Sequence, residues 1–180
     1  MTDRPDGSDQ TVDDDRPIPY RERISTYYQT LGYGAPYRWA HYAEVPFAPL
    51  RKPLAESRIG LVTTAAPHQS GKGDQGPGAP YNGAAKFYRV YSGDTAQDHD
   101  LRISHIGYDR AHTTATDSNT WFPLPLLREA AKSGRIGELA PRFHGAPTNR
   151  SQRVTLEQDC PELLARLQED DVDAAVLVAV

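Results

Sequence analysis

Apolar positions along this chain fall into short runs of contrasting period. Tyr20, Ile24, Tyr27, Tyr28 and Leu31 recur at helical steps, which predicts a helix over 20–31 that Gly32 and Gly34 end. Pro46, Pro49 and Pro53 predict an extended lead-in over 45–54. Ile59–Thr64 (IGLVTT) is short, apolar and β-branched, the pattern of a central strand buried on both faces. Lys86–Tyr91 (KFYRVY) and Leu101–Ile106 (LRISHI) alternate and predict two further strands. Leu124–Lys132 predicts a short helix, with Pro125 tolerated in its first turn and Gly134 as its stop. Ile136 and Leu139 should pack a following turn, and Arg142–His144 is a candidate short strand. A second helix is predicted over Glu157–Glu169, with Leu156, Cys160, Leu163, Leu164 and Leu167 on one face and Pro161 near its start. Val172–Val180 (VDAAVLVAV) predicts a last, nearly all-apolar strand.

Two stretches lack any period. Residues 65–83 hold five glycines and three prolines, and residues 107–120 have no apolar pattern. A loop as long as the first is usually functional or disordered. A helix followed closely by an apolar strand is half of a β-α-β crossover. The expected fold is therefore α/β, a mainly parallel sheet with flanking helices. Ligand crevices of such sheets lie outside the carboxyl ends of the strands. The recorded chain stops at that edge, and no later helix covers its most apolar strand. The expectation is an incomplete half of a larger two-part protein, with a natural end as the alternative.

Composition narrows this picture. A length of 180 residues suits about one domain, and 38% hydrophobic with 24% charged residues suits a globular one. Fourteen glycines and fifteen prolines point to many loops. The net charge of −4 sits in residues 1–16, where Asp3, Asp6, Asp9, Asp13, Asp14 and Asp15 face only Arg4 and Arg16. That segment reads as a disordered acidic tail. The neutral remainder gives no electrostatic reason to bind nucleic acid. No secretory signal or membrane-length apolar run is visible, and the partners expected exclude membranes. One cysteine, Cys160, excludes an intrachain disulfide framework and a multi-cysteine metal site, which makes the cytoplasm the default compartment. The expected organisation is a tail over 1–19, a helix and proline-rich arm over 20–56 and an α/β domain over 57–180.

Several residues invite chemistry. His105, Asp109 and His112 form H-x3-D-x2-H, read either as a metal cluster or as a strand-end histidine with polar loop residues. Asp117 and Asn119 suit turn and capping chemistry ahead of the 124–132 helix. Thr63 and Thr64 end a central strand, where side chains reach a ligand or simply complete the strand. Gly71-Lys72-Gly73 lacks the rest of a phosphate-binding loop. Tyr27, Tyr28, Tyr33, Tyr37 and Trp39, with Arg23 and Arg38, suit a packing arm or subunit contact better than base stacking. Cys160, on an apolar helix face, reads as a small core residue and not as a nucleophile.

An ordered set of segments then carries a resemblance: RIGLVTTA (58–65), ISHIGYDR (103–110), DSNTWFPLPLLREAAKSGRIGELAPRFHG (117–145) and DDVDAAVLVAV (170–180). In order and spacing the chain resembles the selenoprotein B family of glycine, sarcosine, betaine and D-proline reductases, over roughly residues 50–180. The resemblance implies reductive cleavage of a carbon–heteroatom bond, typically C–N, in a small amine or amino-acid substrate. It implies a selenocysteine or cysteine directly after a strand like VDAAVLVAV, followed by two residues and a cysteine. That centre is absent from these residues, so no cofactor is expected within the chain, which alone should be inactive. The reading frame is expected to continue through a UGA codon read as selenocysteine. The resemblance further implies a partner subunit bearing a pyruvoyl group and a thioredoxin-like electron donor. His105 and Asp109 match its SH…YD element, which implies a catalytic role, and Asp117 and Asn119 match its D-x-N element, which implies substrate binding; Thr63 and Thr64 are candidates for substrate binding from their place at the strand end. Two alternatives stand beside this: a non-catalytic split subunit or binding module that completes its sheet with another chain, and a metal-dependent enzyme using His105, Asp109 and His112.

Overall fold

The structure, a computed structural model, describes residues 17–35, 38–76, 79–103, 105, 108–109, 115–148 and 151–180. The acidic tail, Tyr37 and His112 lie outside the described residues. The chain divides into two compact units, Met1–Trp39 and Ala40–Val180.

In the first unit, helix α1 spans Tyr20–Thr30, and Gly32 just beyond it adopts φ +79°, the left-handed geometry that favours glycine at a helix end. None of its residues is buried. Tyr28 packs edge-on against Tyr33 with ring centroids 5.4 Å apart, and the Arg21 guanidinium lies 5.5 Å from the Trp39 ring centre.

The second unit is built around β1, Arg58–Thr63, in which every residue after Arg58 is buried. Two short strands follow it as a ribbon: β2 (Ala66–Pro67) runs antiparallel to β4 (Leu101–Arg102). Between them lies β3, Tyr91–Asp94. Helix α2 (Leu124–Lys132) begins with Pro125 in its first turn, and Gly134 beyond its end has φ +72°. Then come β5 (Glu138–Leu139) and β6 (Arg142–Gly145). A continuous helical stretch contains α3 (Gln152–Val154), a wider π turn over Thr155–Asp159, and α4 (Cys160–Glu169). Strand β7 is Ala174–Val178.

The main sheet is mostly parallel. β7 pairs parallel to β1 along its whole length, from Ile59↔Ala174 to Thr63↔Val178. On the other edge of β1, β5 pairs with its start and β6 with its end, both parallel. β3 closes the far side of β6, antiparallel, with Tyr91 opposite Gly145 and Ser92 opposite His144. The α/β expectation holds in this form.

Three differences have physical causes. The strand expected over Lys86–Tyr91 forms instead over Tyr91–Asp94. The partner strand selects it. A Cβ at Gly93 would lie 2.3 Å from the Phe143 ring, and one at Gly145 would lie 1.7 Å from the Tyr91 ring. Only YSGD fits against RFHG, and this fit overrides the alternation of KFYRVY. Of the strand expected over Leu101–Ile106, Leu101–Arg102 forms β4, and Ser104 and Ile106 lie outside the described residues. The helix expected over Glu157–Glu169 reaches back to Gln152 with its π turn, but its apolar face is not core: Leu156 and Leu164 are more than half exposed. Cys160 is likewise exposed, which corrects its reading as a core residue.

The two faces of the sheet differ in chemistry. Leu61, Ala65, Leu101, Trp121, Phe122, Leu124 and Phe143 form one apolar cluster beneath α2. On the opposite face α4 approaches the sheet where β1 has no side chain: a Cβ at Gly60 would lie 2.8 Å from Leu167. β7 is left uncovered, with Leu177 68% exposed. Among the described residues, no helix is long and apolar enough to cross a membrane.

Candidate functional site

The carboxyl edge of the parallel strands is where α/β sheets place ligands, and the candidate residues are best taken from it outward. Thr63 is fully buried. Its hydroxyl donates to Trp121 O at 3.0 Å and accepts from Ala65 N at 3.1 Å, so it ties the end of β1 to the segment entering α2. The Thr64 hydroxyl accepts from Val180 N at 2.7 Å and donates to Val180 O at 3.1 Å, clamping the residue beyond β7. Tyr91, at the same edge, donates from its phenol to Ala65 O at 2.7 Å. Burial pushes that phenol above its usual pKa.

Asp117 caps a short 3-10 turn, Ser118–Thr120, by accepting at 3.0 Å from both the backbone and the side-chain amide of Asn119. That is the turn chemistry these residue types perform. It leaves the buried Asn119 Oδ1 without a hydrogen-bond partner among the described residues. Through Trp121 this turn meets Thr63, so the structure joins two of the expected substrate-binding segments. His105 and Asp109 are both half-buried, and Tyr108 N donates to His105 O at 3.4 Å. His112 lies outside the described residues, and among those described no group of three or more His, Cys, Asp or Glu residues is placed to hold a metal ion.

A second constellation was not legible as a site in the sequence. His144, in the middle of β6, is fully buried, and its Nδ1 lies 2.8 Å from Ser92 Oγ on the neighbouring strand. Ser92 Oγ also accepts from Arg166 Nη1 at 2.6 Å. His144 Nε2 lies 3.3 Å from Asp170 Oδ2, without hydrogen-bond geometry. Asp170, buried at the end of α4, takes two hydrogen bonds from Arg142 Nε, at 2.9 and 3.1 Å. Arg58 Nη1 donates to its carbonyl at 2.9 Å. Burial lowers the His144 pKa against the pull of Asp170, with Arg142 and Arg166 adding to the lowering. The network fastens α4 to the sheet, with its side chains directed away from the apolar cluster. Its one sequence signal is a histidine inside an otherwise packed strand, RFHG.

A cleft opens at the edge of β3 on the apolar face, lined among others by His68, Tyr91, His99, Asp100, Leu101 and Phe143. His68 lies in the long loop after β1, where local pattern assigns it no role. The His99 ring is edge-on to Phe143, 4.8 Å between centroids, and its Nε2 donates to Asp94 O at 2.6 Å.

The chain was compared with known proteins. A family model described as glycine/sarcosine/betaine reductase selenoprotein B matches residues 28–180. A D-proline reductase subunit gamma from Acetoanaerobium sticklandii is 36% identical over 137 residues, covering 74% of this chain and 52% of that protein. A glycine reductase complex component B subunit gamma from Symbiobacterium thermophilum is 27% identical over 151 residues, 82% of this chain and 34% of that protein. A sarcosine reductase complex component B subunit beta from Peptoclostridium acidaminophilum is 26% identical over 140 residues, 77% of this chain and 31% of that protein. The chain thus spans about half the length of the first of these relatives and about a third of the others. No solved structure matches it significantly.

Proposed function

The chain belongs to the glycine/sarcosine/betaine reductase selenoprotein B family, and from that membership we propose that it forms the sheet-bearing part of a reductase subunit that cleaves a C–N bond in a small amine or amino acid. The observation that carries the reading is the family match over residues 28–180. The mostly parallel sheet supports it, since its carboxyl edge gathers Thr63, Thr64 and the Asp117–Asn119 turn. In this reading the reacting chalcogen is a selenocysteine or cysteine outside residues 1–180, the one thiol here, Cys160, being an exposed helix residue.

In this proposal a selenolate or thiolate attacks the substrate carbon. A carbon–chalcogen bond forms as the C–N pair leaves with nitrogen. A second thiol then attacks the chalcogen, so that carbon departs with that bond's electron pair and takes a proton. The resulting chalcogen–sulfur bond is reduced by an external dithiol protein of thioredoxin type. A low-pKa chalcogenide is needed because an ordinary thiol near pKa 8.5 is mostly protonated at neutral pH. His105 and Asp109 are the proposed acid–base pair, and Thr63, Thr64, Asp117 and Asn119 the proposed substrate-side residues. Relatives named as reductase subunits support assembly with other subunits; a pyruvoyl-bearing subunit among them and a cytoplasmic location are part of the proposal.

A second reading has its own support. Among the described residues, the outer edge of β7 carries no strand partner, and Val176 and Leu177 face solvent. A non-catalytic subunit would complete its sheet there with another chain. One experiment separates the two. The nucleotide sequence after the last codon is read, and the continuous frame is expressed with selenium and assayed for dithiol-dependent cleavage of D-proline, glycine, sarcosine and betaine. A UGA codon, a downstream cysteine and turnover of any of these support the reductase. A UAA or UAG codon with no open frame beyond it leaves the split subunit.

A further inference from the structure

The long loop after β1 begins with a fixed piece of structure. The β2–β4 ladder, Ala66↔Arg102 and Pro67↔Leu101, sets His68 opposite Asp100, and His68 N donates to Asp100 O at 2.9 Å. Both side chains are thus held by backbone register and not by their own contact. Asp100 Oδ1 lies 2.5 Å from Arg102 Nη1. Asp100 Oδ2 lies 3.6 Å from His68 Nδ1, an ion-pair distance too long for a hydrogen bond. One carboxylate oxygen is therefore fixed and the other has acceptor capacity to offer.

Asp100 lines the cleft described above, whose floor is aromatic. Phe143 is the hub, with the Tyr91 ring 6.0 Å and the His99 ring 4.8 Å from it, both nearly perpendicular. One end of the cleft also reaches the ligand edge of the sheet. His68 follows the carboxyl end of β1 by five residues, and Tyr91 sits opposite Gly145 at the carboxyl end of β6. A carboxylate beside clustered rings is the chemistry that receives an organic cation, through Coulomb attraction and the negative faces of the rings. A concave, largely apolar cleft with one or two aimed polar groups is the usual form of a small-molecule site.

We propose that the cleft between the β2–β4 ribbon and β3 seats the ammonium group of a small amine, with Asp100 as its counter-ion and Tyr91 and His99, backed by the buried Phe143, as its aromatic wall. The identification of that amine with the reductase substrate rests on the function proposed above, whereas the cation preference of the cleft does not. Among the described residues, His68, Tyr91 and His99 are the titratable groups that line the cleft with Asp100, and Arg102 pairs with it. They set the orientation of a zwitterionic ligand, its carboxylate toward the basic side.

The test is an amide chemical-shift titration of the full 180-residue chain with betaine, with tetramethylammonium, and with acetate as the probe lacking a cation. Saturable shifts confined to 91–93 and 99–101 are expected with the two cations and not with acetate. Asp100→Asn, which keeps shape and removes charge, should weaken binding about tenfold or more. Equal shifts with acetate, unsaturable shifts, or unchanged affinity in Asp100→Asn would overturn the proposal. In the complete reductase complex the same variant should raise KM with little change in kcat. A wild-type complex that cleaves no amine defeats the reductase reading but leaves the titration standing. An active complex whose KM ignores Asp100→Asn defeats the amine seat alone.

Discussion

The main sheet with α4 behind it and the separate β2–β4 ribbon each hold a histidine–aspartate pair, and the two could hardly be more different. His144 and Asp170 are 0% and 6% exposed, whereas the side chains of His68 and Asp100 are 40% and 55% exposed. The buried pair is bonded on nearly every side, by Ser92, Arg142 and, through the Asp170 carbonyl, Arg58. The open pair is held by a backbone ladder and a single arginine. The same two residue types therefore do different work. Taken out of water, a charged group needs every partner it has, and removing one leaves the others uncompensated. In water, the pair contributes little to stability, and its capacity to bind is left available.

The largest effect should come from breaking the buried pair. Asp170→Ala removes the buried carboxylate that Arg142 and His144 face, while Arg142, 37% exposed, keeps Glu169; it is expected to cost about 3 kcal/mol, read as a fall in the denaturant midpoint at unchanged slope. A loss below about 1 kcal/mol would show that the network is not what fastens α4. The apolar face is probed by Gly145→Ala, whose methyl group would overlap the Tyr91 ring. Overpacking of this kind should cost about 1–3 kcal/mol. It should also shift Tyr91 fluorescence, and an unperturbed Tyr91 would mean that β3 can move aside cheaply.

A pH series sharpens the comparison further. The His144 pKa is lowered in the fold, chiefly by burial. Below the ordinary histidine value of about 6.5 the unfolded chain therefore binds more protons than the folded one. The stability that neutral His144 contributes is present above that value and is lost as pH falls through the lowered folded value. His144→Gln should flatten this part of the Tm profile, and an unchanged slope would place the pH dependence elsewhere. The smallest effect belongs to the open pair. His68→Gln should change stability by no more than about 0.5 kcal/mol, as surface substitutions do. A drop as large as that of Asp170→Ala would make His68 a structural residue and remove the contrast.

Local pattern was enough for much of the frame. The apolar run at 59–64, the Pro125 and Gly134 signals around α2 and the VDAAVLVAV segment place β1, α2 and β7 with small shifts in their ends. Each of these elements is fixed by its own residues: β-branched density, a proline where a helix start tolerates it, a glycine where the chain turns left-handed. The ordered segments also carry the family resemblance, since such segments are a property of the sequence alone.

What local pattern cannot carry is pairing. Whether KFYRVY or YSGD forms β3 depends on Phe143 and Tyr91 finding glycines opposite them, on strands about fifty residues apart. The apolar stripe over 156–167 reads as core, but Leu156, Cys160 and Leu164 are exposed, while Leu167, with Val172 just beyond α4, packs over Gly60 and the polar end of α4 binds the sheet through Asp170. His144 and His68 are equally unremarkable letters in the sequence. Tertiary structure decides that the first is walled in by α4 and β3 while the second stands across a two-residue ladder from Asp100. Burial and long-range register are sums over the whole fold, so they give chemically identical pairs opposite roles that no window of neighbouring residues contains.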